Sequence, residues 1–331
     1  MIWGMDSPFP AEPPPVGADE PMPADGSGAT QALVPMEQPT TTESPQPVPL
    51  PVSGPQGWRP WTAPAALFAG VVLAAVGGLI LDVPAALFFG IKIDTSKLPA
   101  GLEIADTAIQ DAAFVAAVVI FAQLGGRTLQ AWQIGLRPTR RWYAVGAVLV
   151  TVVVFFIFTA IWSAAIEVST KEKLLETLGA NESTLLLLAS AVLTCVMAPV
   201  CEEILFRGYF FAALSNWHGW LLAALLTGLV FGGVHAGSAP LVDLVPLAFL
   251  GFALCVLYHR TGSLYPCIAT HVINNSIAFG ALESWSAGQT ALLMLAALAI
   301  VGALVLLLRR TGVIGDPPLA AAPASAVGVG T

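Results

Sequence analysis

The stretch that decides the fold is Pro-Val-Cys-Glu-Glu-Ile-Leu-Phe-Arg, residues 199–207. It ends a run of uncharged, mostly apolar residues, 185–201, that approaches the length of a membrane-crossing helix. A charged side chain costs roughly 2.5–3.5 kcal/mol at the centre of a membrane helix, and less near its end. Two adjacent carboxylates and an arginine at this position therefore indicate ion pairing, a polar cavity or chemistry within the membrane.

The composition is that of a polytopic membrane protein. The 331 residues are 56% hydrophobic and only 10% charged, with a mean hydropathy of +0.79, whereas a soluble globular chain carries about 25% charged residues. The net charge of −8 comes mainly from residues 1–57, which hold seven acidic residues and no lysine or arginine. The rest of the chain is close to neutral and has no basic stretch, so we expect no nucleic-acid partner. The four cysteines form no CxxC pair, so neither a disulfide framework nor a zinc knuckle is indicated.

The two ends of the chain differ in composition from its middle. Residues 1–57 contain 14 of the 26 prolines, and they offer too little apolar surface to offset the entropy of ordering. We expect this segment to be a disordered, acidic cytoplasmic tail. Residues 58–311 are predicted to form a transmembrane bundle, and residues 312–331 a flexible C-terminal tail.

Eight apolar runs of spanning length predict an all-α polytopic bundle of about eight transmembrane helices. The fourth helix is expected to continue through Leu214, which would place both glutamates within it. The segment 84–106 is expected to be re-entrant or to lie at the surface, and 128–141 to be interfacial. The predicted spans are 62–83, 107–124, 142–166, 183–201, 219–235, 241–259, 263–281 and 288–308.

The basic residues predict an orientation for this integral membrane protein. With eight spans, all nine arginines fall on one side of the membrane and all four lysines on the other. Cytoplasmic loops carry the excess of Lys and Arg. We therefore expect both termini to be cytoplasmic, and the plasma (inner) membrane to be the location.

The glutamate pair predicts two different roles for two neighbouring carboxylates. Glu203 and Arg207 are i,i+4 neighbours on a helix, whereas Glu202 lies about 100° away from Glu203 around the axis. Arg207 is therefore expected to neutralise Glu203 and to leave Glu202 free as a general base. The alternative is an ion pair at a helix end that reaches the membrane surface.

Two further polar groups lie in separate predicted spans. His235 follows Phe231-Gly-Gly-Val at the end of the fifth, where its ring either contributes to a site or only bonds a backbone carbonyl. His271 and Asn275 share one face of the seventh, where they either donate to a common oxygen or hold helices together. We interpret Asn274 as a packing residue. Asp82, Asp111 and Asp243 are expected to be solvated helix ends.

The three motifs, taken together, resemble a known family. EExxxR at 202–207, FxxxH at 231–235 and HxxxN at 271–275 occur in the order and at the separations typical of the CAAX prenyl endopeptidase and bacteriocin-processing (CPBP, or ABI) family. The resemblance covers about 183–281, under a third of the chain. It implies an intramembrane endopeptidase with a helical-bundle fold, acting in the lipid bilayer on a membrane-associated or lipidated peptide or protein.

The resemblance also implies roles for individual residues. Glu202 with His235 would activate a water molecule, and Glu202 would then return the proton to the leaving amine. His271 and Asn275 would hold the oxyanion, where one well-placed donor contributes ~2.7–4 kcal/mol. The remaining pair, Glu203 and Arg207, would lock the helix and tune Glu202.

Metal dependence and two other function classes stay open at this stage. We expect a glutamate-activated water with no required cofactor. The alternative is a zinc ion on Glu202, His235 and His271, since a catalytic zinc keeps three protein ligands. An ion-coupled transporter would use the same charges as a relay in the membrane. A non-catalytic immunity or binding protein would keep the family fold without the reaction.

Overall fold

The computed structural model describes residues 58–90, 98–124, 126, 128–166 and 183–315. Within these ranges all regular structure is helical. The N-terminal tail predicted at 1–57 lies outside the described residues, as does most of the C-terminal tail predicted at 312–331.

Eight long helices follow one another in the predicted order, which confirms the all-α bundle. Short 3₁₀ turns at Ala131–Ile134 and Leu241–Asp243 lie between some of them. The helices are α1 (Thr62–Phe89), α2 (Ala100–Ala122), α3 (Arg141–Ala165), α4 (Thr184–His218), α5 (Trp220–Val234), α6 (Leu244–Thr261), α7 (Leu264–Leu282) and α8 (Ala287–Arg310).

Six of the eight helices are long and apolar enough to cross a membrane on their own, which makes this an integral membrane protein. The exceptions are α5 and α7. Helix α5 has 15 residues, or about 22 Å, against a hydrocarbon core of about 30 Å. Helix α7 is long enough but carries polar residues, including His271 and Asn275, that lower its hydropathy. The two helices that fall short hold, or end at, the predicted histidines of the site, whereas the predicted glutamates lie in the long helix α4.

The predicted boundaries of the first two spans were wrong. Helix α1 continues through Pro84 to Phe89, and α2 begins directly after Pro99, so 84–106 is largely helical and not a separate re-entrant segment. Only 91–97 of that segment falls outside the described residues. One consequence concerns Asp111, which lies near the middle of α2 and not at its outer end.

Helix α4 runs without a break past Leu214 to His218, as predicted. Two of its segments, Leu193–Met197 and Ile204–Phe211, are π-helical, and they flank the α-helical segment Ala198–Glu203 that carries both glutamates. Such π segments are rare and often occur at functional sites, because the wider turn redirects side chains and backbone carbonyls. The glutamate pair therefore occupies a short regular segment between two irregular ones.

Helices α5 and α6 pack with unusually close backbones. A Cβ atom added at Gly232 would lie 2.6 Å from the carbonyl oxygen of Leu244, and one added at Gly228 would lie 2.7 Å from that of Ala248. Gly233, the next residue, has nothing within 4 Å of the same hypothetical atom. Of this glycine pair, Gly232 is therefore the residue at which the two backbones meet.

The start of α7 is fixed by the loop that precedes α3. Leu264 N donates to the carbonyl oxygen of Gly135 at 2.8 Å, and Arg137 Nε donates to that of Gly262 at 2.6 Å. The hydroxyl of Ser263 donates in turn to the carbonyl oxygen of Arg137 at 2.6 Å. Because these bonds anchor the turn between α6 and α7, they set the position from which α7 presents its histidine.

The adjacent glycines offer a matched pair of variants. Gly232→Ala should destabilise the protein by about 1–3 kcal/mol, because the methyl group meets backbone that cannot yield without separating α5 from α6. Gly233→Ala should be neutral or slightly stabilising, since alanine is the better helix former. Thermal unfolding in detergent measures both, and equal stabilities for the two variants would contradict the close packing at Gly232.

Candidate active site

The centre of the site is the carboxylate of Glu203, whose side chain is fully buried (0% exposed). Its Oε1 accepts from Arg207 Nη1 at 2.8 Å and from His271 Nδ1 at 2.8 Å. The first contact is the i,i+4 pair predicted from the sequence. The second joins α4 to α7, and no local sequence pattern predicts it.

Arg207 extends this connection to two further helices. The guanidinium is fully buried and donates from Nη2 to the carbonyl oxygen of Gly251 in α6 at 3.2 Å. Its central carbon lies 4.6 Å from the ring centroid of Phe231 in α5, within the range of a cation–π contact. One ion pair therefore ties α4 to α5, α6 and α7.

Glu202, the next residue, is not part of this ion pair. Its side chain is 17% exposed, and its Oε2 lies 3.9 Å from His271 Nε2. That separation is too long for a direct hydrogen bond. Within the described part of the chain, Oε2 is buried without a hydrogen-bond partner. Glu202 is thus the carboxylate left available, as the sequence predicts.

His271 stands between the two glutamates. Its ring is buried at 3% exposure and lies edge-on to Phe231, with centroids 5.8 Å apart. When Nδ1 donates its proton to Glu203, the neutral ring presents an unprotonated Nε2 towards Glu202. The contact with Glu203 therefore determines the orientation of this ring, with Nε2 on the side of Glu202.

His235 lies at the end of α5, and its Nδ1 is 2.7 Å from the carbonyl oxygen of Phe231. This contact is the backbone hydrogen bond that the sequence left open as the simpler interpretation, and it leaves Nε2 for other contacts. Among the described residues, His235 and Glu202 share no direct hydrogen bond. Their joint action on a water molecule stays a prediction.

Asn275 holds α7 against the first π segment of α4. Its Nδ2 donates to the carbonyl oxygen of Thr194 at 2.9 Å, and its Oδ1 accepts from Asn274 Nδ2 at 3.1 Å. The interhelical hydrogen bond that the sequence left open is therefore present, while a role for Asn275 at the oxyanion stays a prediction. Asn274, interpreted from the sequence as a packing residue, orients the amide of its neighbour.

Asp111 is a residue of this region that sequence reasoning misplaced. The expected solvated helix end is wrong, because α2 begins seven residues earlier than predicted and the side chain is only 2% exposed. The carboxyl interacts electrostatically with Glu202. A lone acid inside an apolar run was the signal that could have identified it.

The zinc alternative is not tested by the hydrogen bonds of the two histidines. His271 Nδ1 lies against Glu203 and His235 Nδ1 against a backbone carbonyl, and each ring keeps Nε2, as zinc-binding histidines commonly do. Across the ranges that the structure describes, however, no three His, Cys, Asp or Glu side chains are grouped so as to hold a metal ion. No step is therefore derived through a metal.

Comparison with known proteins agrees with the motifs. The core of the chain is similar to the Type II CAAX prenyl endopeptidase Rce1-like family, whose family model matches residues 184–277. This match confirms the resemblance. It extends from the start of α4 to residue 277 in α7, so it includes His271 and Asn275. It places the core of the chain among membrane peptidases by similarity.

Individual relatives share only this part of the chain. "Putative membrane peptidase YdiL" of Bacillus subtilis (strain 168) is 32% identical over 85 residues, 26% of this chain and 34% of that protein. An uncharacterized protein of Mycoplasma capricolum subsp. capricolum (strain California kid) is 31% identical over 88 residues, 26% of this chain and 25% of that protein. The matched stretch thus spans about a third and a quarter of those relatives. No solved structure matches.

The buried ion pair predicts a large effect from one truncation. Arg207→Ala leaves the Glu203 carboxylate buried with its charge uncompensated by arginine, which should cost about 3–5 kcal/mol of unfolding free energy. Arg260→Ala, at an exposed position on α6, is the matched control and should stay within about 0.5 kcal/mol of wild type. Thermal or denaturant unfolding in detergent measures both; similar losses in the two variants would contradict the role assigned to Arg207.

Proposed function

We propose that the protein is an intramembrane endopeptidase in which Glu202 activates a water molecule to attack a peptide bond of a membrane-associated substrate. The observation that carries this proposal is the contrast between the adjacent carboxylates. Glu203 Oε1 is bound by both Arg207 and His271 at 2.8 Å, whereas the nearest charged partner of Glu202 is His271 Nε2 at 3.9 Å; each carboxylate keeps one buried oxygen without a hydrogen-bond partner among the described residues. The similarity to CAAX prenyl endopeptidases supports the same reaction class.

The reaction needs a base, a stabiliser of the oxyanion and an acid for the leaving amine. Glu202 takes a proton from water as the oxygen attacks the carbonyl carbon. Glu202 then gives that proton to the amide nitrogen as the C–N bond breaks, so the carboxylate is restored and one water is consumed. Glu202 Oε2 and His271 Nε2 lie 3.9 Å apart, so one water beside the two atoms could contact both.

The other residues act on the same water or on the oxygen of the tetrahedral intermediate. His271, when protonated at Nε2, donates to that oxyanion, and Asn275 lies one helical turn further along α7. His235 contributes its free Nε2 from the end of α5. Glu203 and Arg207 take no part in proton transfer and position the other groups.

The substrate class follows from the setting of the site in the bundle. Glu202 lies within a 35-residue apolar helix, so the scissile bond must reach it from the membrane. A lipidated C-terminal peptide and a peptide held by its own apolar segment both satisfy this requirement. We further propose that the protein resides in the plasma (inner) membrane with both termini in the cytoplasm, as the distribution of Arg and Lys predicts.

Replacing the base tests the proposal directly. Purified protein in liposomes, given a prenylated CAAX peptide and a matched unprenylated transmembrane peptide, should cleave at least one of them. Glu202→Gln should lower kcat by at least about 10²–10⁴-fold, the usual contribution of a general base. Glu283→Gln, at the C-terminal end of α7, is the control and should retain activity. Cleavage by the Glu202→Gln variant at the wild-type rate would overturn the mechanism.

Metal removal separates the glutamate mechanism from the zinc alternative. After exhaustive dialysis against a strong chelator, we expect the cleavage rate to stay within about twofold of its starting value, because Glu202 alone supplies the base. Loss of activity on dialysis, with recovery on adding back zinc, would contradict the metal-free mechanism. It would leave the assignment of Glu202 to the site intact.

A further inference from the structure

Asp111 presents a carboxyl group that the proposed mechanism does not use. It lies near the middle of α2, its side chain is 2% exposed, and its Oδ2 makes no hydrogen bond within the described residues. An acid in the middle of a membrane helix is costly, and such residues usually face a polar cavity or a partner. Asp111 therefore needs a reason for its position.

The partner is Glu202. Helix α2 packs on the Ala198–Glu203 segment of α4, and α7 packs on the same segment. Asp111 thus lies near the middle of a helix that packs directly on the segment carrying Glu202. Glu202 Oε2 and Asp111 Oδ2 are both buried atoms without a hydrogen-bond partner in the described part of the chain. The two helices that pack on the segment of Glu202 thus carry His271 (α7) and Asp111 (α2).

Other charged or titratable groups near Asp111 are few. The main elements that pack against α2 are α1 and the first three-quarters of α4. On these elements the candidates are Asp82, Cys195, Cys201, Glu202, Glu203, Arg207 and Tyr209. Asp82 interacts with Asp106, further towards the N-terminus of α2, and Arg207 is paired with Glu203. Cys201 and Glu202 are the groups that interact with Asp111.

Two carboxyl groups that interact in an apolar, largely water-excluded surrounding do not both ionise readily, and such a pair tends to hold one proton. Asp111 is the more buried of the two, and no cation contacts it among the described residues. Glu202 is partly exposed and has an imidazole 3.9 Å away. The proton of the pair therefore belongs on Asp111 and the negative charge on Glu202.

We propose that Asp111 is a positioning residue of the active site, a protonated carboxyl that faces Glu202 and keeps it ionised as the base. This inference rests on the proposed function for its catalytic consequence. Asp111 donates a hydrogen bond to the water that Glu202 activates. It keeps its proton through the reaction, so the proton balance at Glu202 is unchanged.

Three variants separate this role from simple packing. Asp111→Leu removes the donor at similar volume and should lower kcat by about 10- to 100-fold, the effect of losing one hydrogen bond to a charged group. Asp111→Asn keeps a neutral donor and should recover most of that loss. Asp106→Asn, a partly buried acid on the same helix, is the control and should retain wild-type activity.

The pH profile provides a readout that packing alone would not change. The wild-type rate should decline at alkaline pH as Asp111 loses its proton, and this decline should disappear in Asp111→Asn. Equal activities of the Asn and Leu variants, or an alkaline decline that persists in Asp111→Asn, would overturn the proposal.

An infrared measurement keeps the inference testable even if no peptide is cleaved. The carbonyl stretch of a protonated carboxyl should be present at neutral pH in wild type and absent in Asp111→Asn. In Glu202→Gln this band should disappear at a lower pH than in wild type, because the like-charged neighbour is gone. If the bands behave in this way but no substrate is cleaved, the proposed function fails and the Asp111–Glu202 pair stands. A band unaffected by Asp111→Asn would overturn the pair.

Discussion

The structure depends on one fully buried carboxylate, that of Glu203, shared between the guanidinium of Arg207 and the imidazole of His271. A buried charge costs several kcal/mol unless it is paired and its remaining hydrogen bonds are made. Arg207 meets part of this requirement through Gly251 and the face of Phe231. Because these partners come from three other helices, satisfying one charge fixes how α4, α5, α6 and α7 meet.

The same interaction gives the two neighbouring glutamates different chemistry. A regular helix turns about 100° per residue, so Glu202 cannot join the pair that Glu203 forms. Its carboxylate lies instead 3.9 Å from His271 Nε2, on a segment against which both α7 and α2 pack. The π segments on either side of the glutamates are compatible with this arrangement, since they end the regular helix just before and after the pair.

The sequence predicted what depends on short-range spacing and missed what depends on packing between helices. The pair of Glu203 with Arg207 follows from an i,i+4 separation and was correct. The contact of Glu203 with His271 spans 68 positions in the chain, and no local pattern indicates it. Asp111 was misplaced because apolar length alone does not locate the start of a helix. The number and order of the eight helices in the described residues were predicted correctly, since each apolar run is bounded by polar or turn residues.

The central claim is that Glu203 is a structural charge and Glu202 a free one, although the two are adjacent and identical. The most direct test is the unfolding free energy of Glu203→Gln and Glu202→Gln, measured side by side under the same conditions. We expect Glu203→Gln to lose about 3–5 kcal/mol, because Arg207 is left buried without its counter-charge. We expect Glu202→Gln to be as stable as wild type or more so. Equal losses in the two variants, or a larger loss in Glu202→Gln, would contradict the claim.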